Sequence, residues 1–363
     1  MSKTNYKRLG DYIREVDVRN RDLKVTKLYG VNLQKEFMPS VANIIGTDLS
    51  KYKIVSYNQF GCKLMSVERD HKLPISLMKE SQPAIMSSAY FVFEVIDENV
   101  LNPDYLFMQI KRPEFDRRLW FSTGGDVRGG ATWDNLCDMP IIVPSIDQQR
   151  KIVAEYNAIQ QRIKLNEQQI VKLEETAQAI YRKMFVDGID KNNLPEGWRM
   201  GTLGEIADFG YGKMPDKTTK GDIPIFSGYG IVGYTDTPMY DKQLIIIIAR
   251  GDSGSGKVVL SPNIFFLTNL AIAVLLKDDK MKNYLYYHLL NSDTTSLRSG
   301  SAQAQVTINS LSSYEIIIPP GEYYNKFNLL MSPINEQKGL ITSENIKLNK
   351  LQSLLLARMG QLK

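Results

Sequence analysis

The chain repeats itself once, at long range. Residues 132–184 read TWDNLCDMPIIVPSIDQQRKIVAEYNAIQQRIKLNEQQIVKLEETAQAIYRKM. Residues 307–359 read TINSLSSYEIIIPPGEYYNKFNLLMSPINEQKGLITSENIKLNKLQSLLLARM, and the two stretches align without a gap. Leu136 falls on Leu311, Ile141-Ile142-Val143-Pro144 on Ile316-Ile317-Ile318-Pro319, Leu173 on Leu348 and Met184 on Met359. A period this long is not that of a solenoid. It implies two globular units, each followed by a helix, and so two similar surfaces a fixed distance apart.

At 363 residues the chain has room for two or three domains. Hydrophobic residues make up 43%, enough for real cores. A net charge of +5 is a mild basic excess, compatible with nucleic acid but far from diagnostic. Cys62 and Cys137 offer neither zinc spacing nor a disulfide framework, and they read as buried apolar thiols in a reducing cytosol. The opening MSKTNYKRLGDY has no apolar signal core, and the longest apolar run, 244–249, is too short to span a membrane. The expectation is a soluble, cytoplasmic protein.

The fold class expected is α+β, two similar strand-rich domains separated by a pair of long antiparallel coiled-coil helices with pseudo-two-fold symmetry. The boundaries drawn are 1–144, 145–195, 196–319 and 320–363. In the first unit, strands are expected at 53–57, 89–96 and 139–143, with helices at 102–110 and 113–119. In the second, strands are expected at 223–226, 244–249, 258–260, 270–276 and 315–318, with a helix at 282–290. Both units open on similar words, RLGDY at 8–12 and TLGEI at 202–206, and both carry Tyr-Leu in a helix, at 105–106 and 284–285.

Between the units the spacing changes. Ile152, Tyr156, Ile159, Ile163, Ile170, Leu173, Ala177, Ile180 and Met184 recur in steps of four and three, with Asn166 as a polar gap. That 3.5-residue repeat predicts a long helix with a coiled-coil seam, about 60 Å over some 40 residues. Ser145 with Gln148 has the spacing of a capping box, and Arg182, Lys183 and Gly188 suit the helix end. One helix cannot cover its own seam in water. The second repeat supplies the partner: Ile334, Ile341, Leu348, Leu355 and Met359 keep the register, with Leu340, Leu351 and Leu354 widening the stripe. Pro333 is expected to kink or restart that helix, with Ser332 as a local cap. Asn166 is either a register device or a residue tolerated beside solvent. The plainer alternative to a helix pair is a domain linker and a dimerisation tail.

Few residues carry recognisable chemistry. Gly251–Lys257 fits G-x-x-x-x-G-K, the loop that cradles phosphates in nucleotide hydrolases. Val258 stands where the magnesium-binding hydroxyl belongs, and the following Val-Val-Leu-Ser-Pro does not open a helix. With Arg250 and Lys257 framing it, the loop suits a nucleic-acid phosphate better than ATP. His71 and His288 are the two histidines, and His288, beside Tyr286 and Tyr287, reads as packing. Pro215-Asp216 with Lys217 has no second acidic–lysine pair, and Glu174-Glu175 reads as a solvated helix face. Neither a His-Glu-x-x-His nor a Gly-x-Ser-x-Gly motif occurs. What does recur is polar and basic side chains on Gly-rich loops at matching stations: 57–63, 86–88 and 124–130 in the first unit, and 211–213, 227–230, 268–269 and 298–305 in the second. Asn, Gln, Arg and Lys read base edges, and glycine lets a loop approach the duplex. Each loop taken alone is more often just a turn.

The words IIVPSIDQQRKIV (141–153), IIIPPGEYYNKF (316–327), GSAQAQVTINSL (300–311), PEGWRMGTLGEI (195–206), FSGYGIVGY (226–234) and ARGDSGSGKVV (249–259) occur in an order that resembles the specificity subunit of type I restriction–modification systems. The resemblance covers nearly the whole chain, and the first unit is the poorer match. It implies two target-recognition domains, each reading one half of a bipartite DNA site. It also implies a helix pair that sets the spacer and docks two methyltransferase subunits, which in turn recruit restriction/translocase subunits. Such a subunit does no chemistry, and S-adenosylmethionine, ATP and magnesium belong to its partners. The expected DNA contacts are Asn58, Lys63, Ser88 and Arg128 in the first unit. In the second they are Lys213, Tyr229, Arg250, Lys257, Asn269, Arg298 and Gln303. Two other readings stay open: an enzyme using Gly251–Lys257 as a nucleotide site, and a coiled-coil assembly scaffold whose units bind proteins.

Overall fold

A computed structural model describes residues 6–41, 45–124, 130–215, 221–251, 254–299 and 305–360. The chain packs as two compact units: residues 1–166 with 343–363, and residues 167–342. The division runs through both long helices, Ile146–Phe185 and Gly321–Met359, so each unit holds one half of each.

Both units open and close on the same strand pairing. Tyr6–Arg8 runs antiparallel to Pro140–Ile142, and Arg199–Thr202 antiparallel to Glu315–Ile318. The leucine of each opening word then turns inward. The Leu9 amide donates to the Met139 carbonyl at 2.9 Å and the Leu203 amide to the Tyr314 carbonyl at 2.9 Å, with both side chains fully buried. The recurrent RLGDY and TLGEI words are thus the same plug in two cores.

Next in each unit comes a four-stranded antiparallel sheet of the same connectivity. In the first unit the order is Ile13–Glu15, Phe91–Val95, Phe60–Cys62, Ile75–Leu77. In the second it is Ala207–Tyr211, Ala271–Leu276, Ile245–Ile248, Val258–Leu260. In chain order, both sheets place the strands first, fourth, second, third. The run Ile245–Ile248 is apolar throughout because both of its faces are covered. Ile245 and Ile247 enter a core that includes Tyr284 and Phe327, whereas Ile246 enters another with Phe226, Phe265 and Leu267. That other core is closed by a small sheet in the order Ile231–Thr235, Ile223–Phe226, Phe266–Leu267. The helices Pro103–Ile110, capped by Asn102, and Lys282–Leu290 sink their Tyr-Leu pairs into the two main cores.

The long helices pair antiparallel within each unit. In the first, Val153 and Tyr156 share a core with Met359, and Ile152 and Leu355 lie against it. Further along, Arg162 grips Glu344 through two hydrogen bonds of 2.9 and 3.1 Å. Asn166 is 1% exposed and donates to Glu344 Oε2 at 3.0 Å and to Asn345 Oδ1 at 2.7 Å. It is therefore a satisfied buried amide on the seam, not a residue tolerated beside solvent. In the second unit Ala177, Tyr181 and Phe185 pack with Phe327, Met331 and Ile334, the Phe185 and Phe327 rings 5.3 Å apart.

Three expectations about these helices need correction. Tyr181 and Phe185 take the deeply buried positions, with Ile180 and Met184 only half-buried, because the aromatic core of the second unit pulls the seam round by one residue. The second long helix runs through Pro333 without restarting. A mid-helix proline costs about 3 kcal/mol, and burial of Met331 and Ile334 on either side offsets it. Leu340, Leu351 and Leu354 are more than half exposed, so they widen no seam within this chain. Of the remaining seam positions, Ile341 is buried, and Ile159, Ile163, Ile170, Leu173 and Leu348 are half-buried.

Phe327→Ala is expected to lower the stability of the second unit by about 3–5 kcal/mol. Leu340→Ala on the same helix is expected to change it by no more than about 0.5 kcal/mol. Denaturant unfolding of the two variants checks both values.

Candidate nucleic-acid interface

Five of the expected DNA contacts meet at one end of the second unit. The Lys213 amide donates to the Leu267 carbonyl at 2.9 Å, and Lys213 bridges to Thr268. Asn269 follows Thr268, and the next carbonyl, of Leu270, accepts from the Arg250 amide at 3.2 Å. The Arg250 carbonyl accepts from the Tyr229 hydroxyl at 3.0 Å. Lys257 closes the loop that starts there, its amide donating to the Gly254 carbonyl at 2.9 Å. Lys213, Arg250 and Lys257 are exposed and, among the described residues, lie in no ion pair. Three free cations around a half-exposed tyrosine and an amide side chain make a surface suited to phosphates and base edges.

The loop between them is held by the protein. Gly251 has φ +118°, and a Cβ built there would stand 2.2 Å from the Tyr229 hydroxyl oxygen; one at Gly254 would stand 2.3 Å from its ring. The Tyr229 ring therefore lies directly on the loop backbone, and only glycine fits beneath it. Ser255 Oγ donates to the Ala249 carbonyl at 3.1 Å and Thr294 Oγ1 to the Gly256 carbonyl at 2.5 Å. Arg298 donates Nε to the Ser255 carbonyl at 2.8 Å and adds a second bond from Nη2. Arg298 thus faces its own protein and serves to fix the loop. The loop joins the antiparallel strands Ile245–Ile248 and Val258–Leu260. Among the described residues no helix starts from this loop, which runs strand to strand, so they do not form the helix N-terminus of a nucleotide-phosphate cradle. Gln303, Asp216 and Lys217 lie outside the described residues.

The first unit divides its candidates. Lys63 follows the Phe60–Cys62 strand, and Ser88, exposed, precedes the Phe91–Val95 strand paired with it. The register Cys62 to Phe91 brings these two to one end of the sheet. The Lys63 ammonium stands 5.9 Å from the Tyr90 ring centroid. Arg128 lies outside the described residues, but Ala131 just beyond donates its amide to the Leu64 carbonyl at 3.2 Å. In the second unit the Val306 amide donates to the Ala249 carbonyl at 3.0 Å, and Ala131 and Val306 are equivalent in the repeat. Asn58 sits at the opposite end of the sheet, at φ +61°. It is tied to Glu98 at 3.0 Å and to Lys79 at 2.9 Å. Where the second unit has its Gly-rich loop, the first has the short helix Val67–Asp70.

Sequence reasoning missed two things here. Tyr229 and Arg298 hold the loop rather than merely flanking it, a role visible only once distant segments meet. Glu174, expected on a solvated face, is half-buried and ion-paired with Lys338 across the helix pair. Burial pushes the Cys62 and Cys137 thiols up, as suits inert apolar thiols. Among the described residues no His/Cys/Asp/Glu group could hold a metal, and no helix is long and apolar enough to cross a membrane.

Residues 195–350 match the family described as type I restriction modification DNA specificity domain. The type I restriction enzyme HindI specificity subunit of Haemophilus influenzae is 20% identical, with 76% of this chain and 80% of the relative covered. The chain is similar to type I specificity subunits, by the family model over residues 195–350. Its fold agrees: the type I restriction–modification S subunit of M. genitalium superposes with a TM-score of 0.59 at 13% identity, over 98% of this chain and 95% of that one. Specificity subunits are the non-catalytic DNA-recognition members of these systems.

His288 fits such a chain as a core residue. Its Nδ1 lies 3.0 Å from the Tyr181 hydroxyl, and burial pushes its pKa down from 6.5 to about 4. The ring is thus neutral when folded, and the unfolded chain takes up the proton first. The stability it contributes is complete above about pH 6.5 and is lost as pH falls towards 4, by roughly 3 kcal/mol. Unfolding measured across that range should show the slope in the wild type and a flatter one in His288→Gln.

Proposed function

We propose that this chain is the DNA-reading ruler of a type I complex. Each unit reads one half of a bipartite, asymmetric site. The antiparallel helix pair sets the unread spacer and docks two methyltransferase subunits, which bring in the restriction/translocase subunits. S-adenosylmethionine, ATP and magnesium act on those partners, and the complex works in the cytoplasm. The carrying observation is the cluster of Lys213, Arg250 and Lys257, in no ion pair among the described residues, around Tyr229 and Asn269, within residues matched by the specificity-domain family. Lys63, Ser88 and Arg128 take the equivalent part in the first unit. Arg298 supports the surface by fixing its loop, and Gln303 remains a proposed DNA contact. Asn58, tied to Glu98 and Lys79, is the weakest of the set. Two sheets of one connectivity carrying different loops imply half-sites of different sequence. Exposed Leu340, Leu351 and Leu354 give the helices an apolar face for the methyltransferases.

The DNA reading predicts that the affinity of the methyltransferase complex for its site falls steeply with salt. Arg250→Ala with Lys257→Ala should make the log–log slope shallower by about 2, leaving nucleotide binding absent in both proteins. An ATP affinity that Lys257→Ala abolishes would revive the enzyme reading, and a salt-independent complex would favour the protein scaffold.

The ruler makes a separate prediction. Removing one heptad within 152–184, with a matching heptad within 327–359, should shorten the spacer in mapped methylation sites and keep both half-site sequences. Unchanged spacing refutes the ruler role.

A further inference from the structure

The second unit exposes an apolar ribbon that the basic cluster does not use. Strand Ile231–Thr235 pairs with Ile223–Phe226 alone among the described strands and so forms the free edge of its sheet. Edge strands are commonly guarded by charge, but this one reads Ile-Val-Gly-Tyr-Thr. Alternation puts Gly233 and Thr235 on one face and Val232 with Tyr234 on the other. Thr235 is buried, whereas Val232 is 63% and Tyr234 57% exposed. Pro224, opposite Tyr234 in the register, shares that outer face. The folded unit gains nothing from holding Val232 and Tyr234 in water, and a contiguous exposed apolar face marks a contact.

The ribbon's neighbours say what it meets. Its turn, Ser227–Gly230, carries Tyr229, whose hydroxyl holds the Arg250 carbonyl. On the far side of the same sheet, Phe266–Leu267 leads to the bridge with Lys213. The apolar ribbon is thus part of a sheet that abuts the segments carrying Lys213 and Arg250, cations in no ion pair among the described residues, and a partner seated on both must be strongly anionic yet offer an apolar group. Duplex DNA does so in the major groove, which admits a two-stranded ribbon and displays one apolar group, the thymine C5-methyl.

We infer that the 223–235 hairpin enters the major groove and that Val232, flanked by Tyr234, reads a thymine methyl in the half-site of the second unit. The inference rests on the DNA-reading function proposed above and names a specificity-determining contact within it.

The test uses the chain assembled with its methyltransferase subunits. Mapping methylated sites gives the two half-sites. Duplexes are then made in which each thymine of either strand is replaced singly by deoxyuridine, which deletes the methyl and keeps the pairing. At one thymine or more the replacement should weaken binding about fourfold, the effect of one buried methyl-sized group. Val232→Ala should weaken binding to the parent duplex by a similar factor and remove the penalty at that thymine while leaving other positions alone. Specific binding that no deoxyuridine alters overturns the inference and leaves the DNA-reading function standing. So does a penalty that persists unchanged in Val232→Ala, or a Val232→Ala defect confined to assembly with the methyltransferase, which would make the ribbon a protein contact. Failure to bind any duplex specifically sinks both the inference and the function beneath it.

Discussion

Two helices of 40 and 39 residues stay helical in water only if a face of each is covered, and this requirement organises the molecule. Each helix spends one half in each unit, so neither unit's core is complete without both. In the second unit the cover is aromatic. Tyr181, Phe185, Tyr284, Tyr287 and Phe327 interlock with ring centroids 4.8–6.3 Å apart. Such packing adds a directional preference to area burial and fixes helix rotation as well as position. In the first unit the cover is lighter and aliphatic, Val153, Met359 and Leu355 around a single Tyr156. Because sheet, short helix and long helix share each core, moving one long helix means disturbing a whole unit.

The candidate surface follows a complementary rule. Lys213, Arg250 and Lys257 lie in no ion pair among the described residues, and the backbone around them is tied down by hydrogen bonds to its carbonyls. Tyr229 and Thr294 hold carbonyls on either side of Gly254-Ser255, and Arg298 holds the carbonyl of Ser255 itself. A cation that must meet a phosphate is most useful when no carboxylate of its own protein competes for it, and a loop ordered in advance loses less entropy on binding. The buried Lys35–Asp116 pair of the first unit shows the contrast. There the charges satisfy one another inside the fold and are withdrawn from any ligand.

The repeat made the two-unit plan and the long helices legible, because period and gapless alignment report directly on what must be buried twice. The shared sheet order was not legible. Phe60–Cys62 and Ile245–Ile248 occupy the same place in their sheets, yet one reads Phe-Gly-Cys and the other four isoleucines. Strand identity depends on what covers each face, and that is settled by segments dozens of residues away. The seam was read one residue out beyond Ala177 for the same reason: a 3.5-residue count knows the partner helix but not Tyr284 or Tyr287. At the candidate surface, residue type singled out Lys213, Arg250 and Lys257, which lie in no ion pair among the described residues. It could not separate them from Arg298, because a guanidinium suits a phosphate and a backbone carbonyl equally well.

Asn166 shows why a polar residue survives in such a seam. An apolar side chain there would bury more surface and pack against any aliphatic neighbour, so it would tolerate several alignments of the helices. The amide is satisfied in one alignment, with Glu344 and Asn345 opposite, and any slip leaves a buried donor unpaired at a cost of about 1–3 kcal/mol. Arg162 raises the penalty, since Glu344 is shared between its guanidinium and the amide and both bonds break together. Stability lost relative to a leucine is exchanged for a single register. For a protein whose proposed work is to hold a fixed spacing, uniqueness of register is the property that matters, and it resides in this polar gap more than in the apolar residues around it.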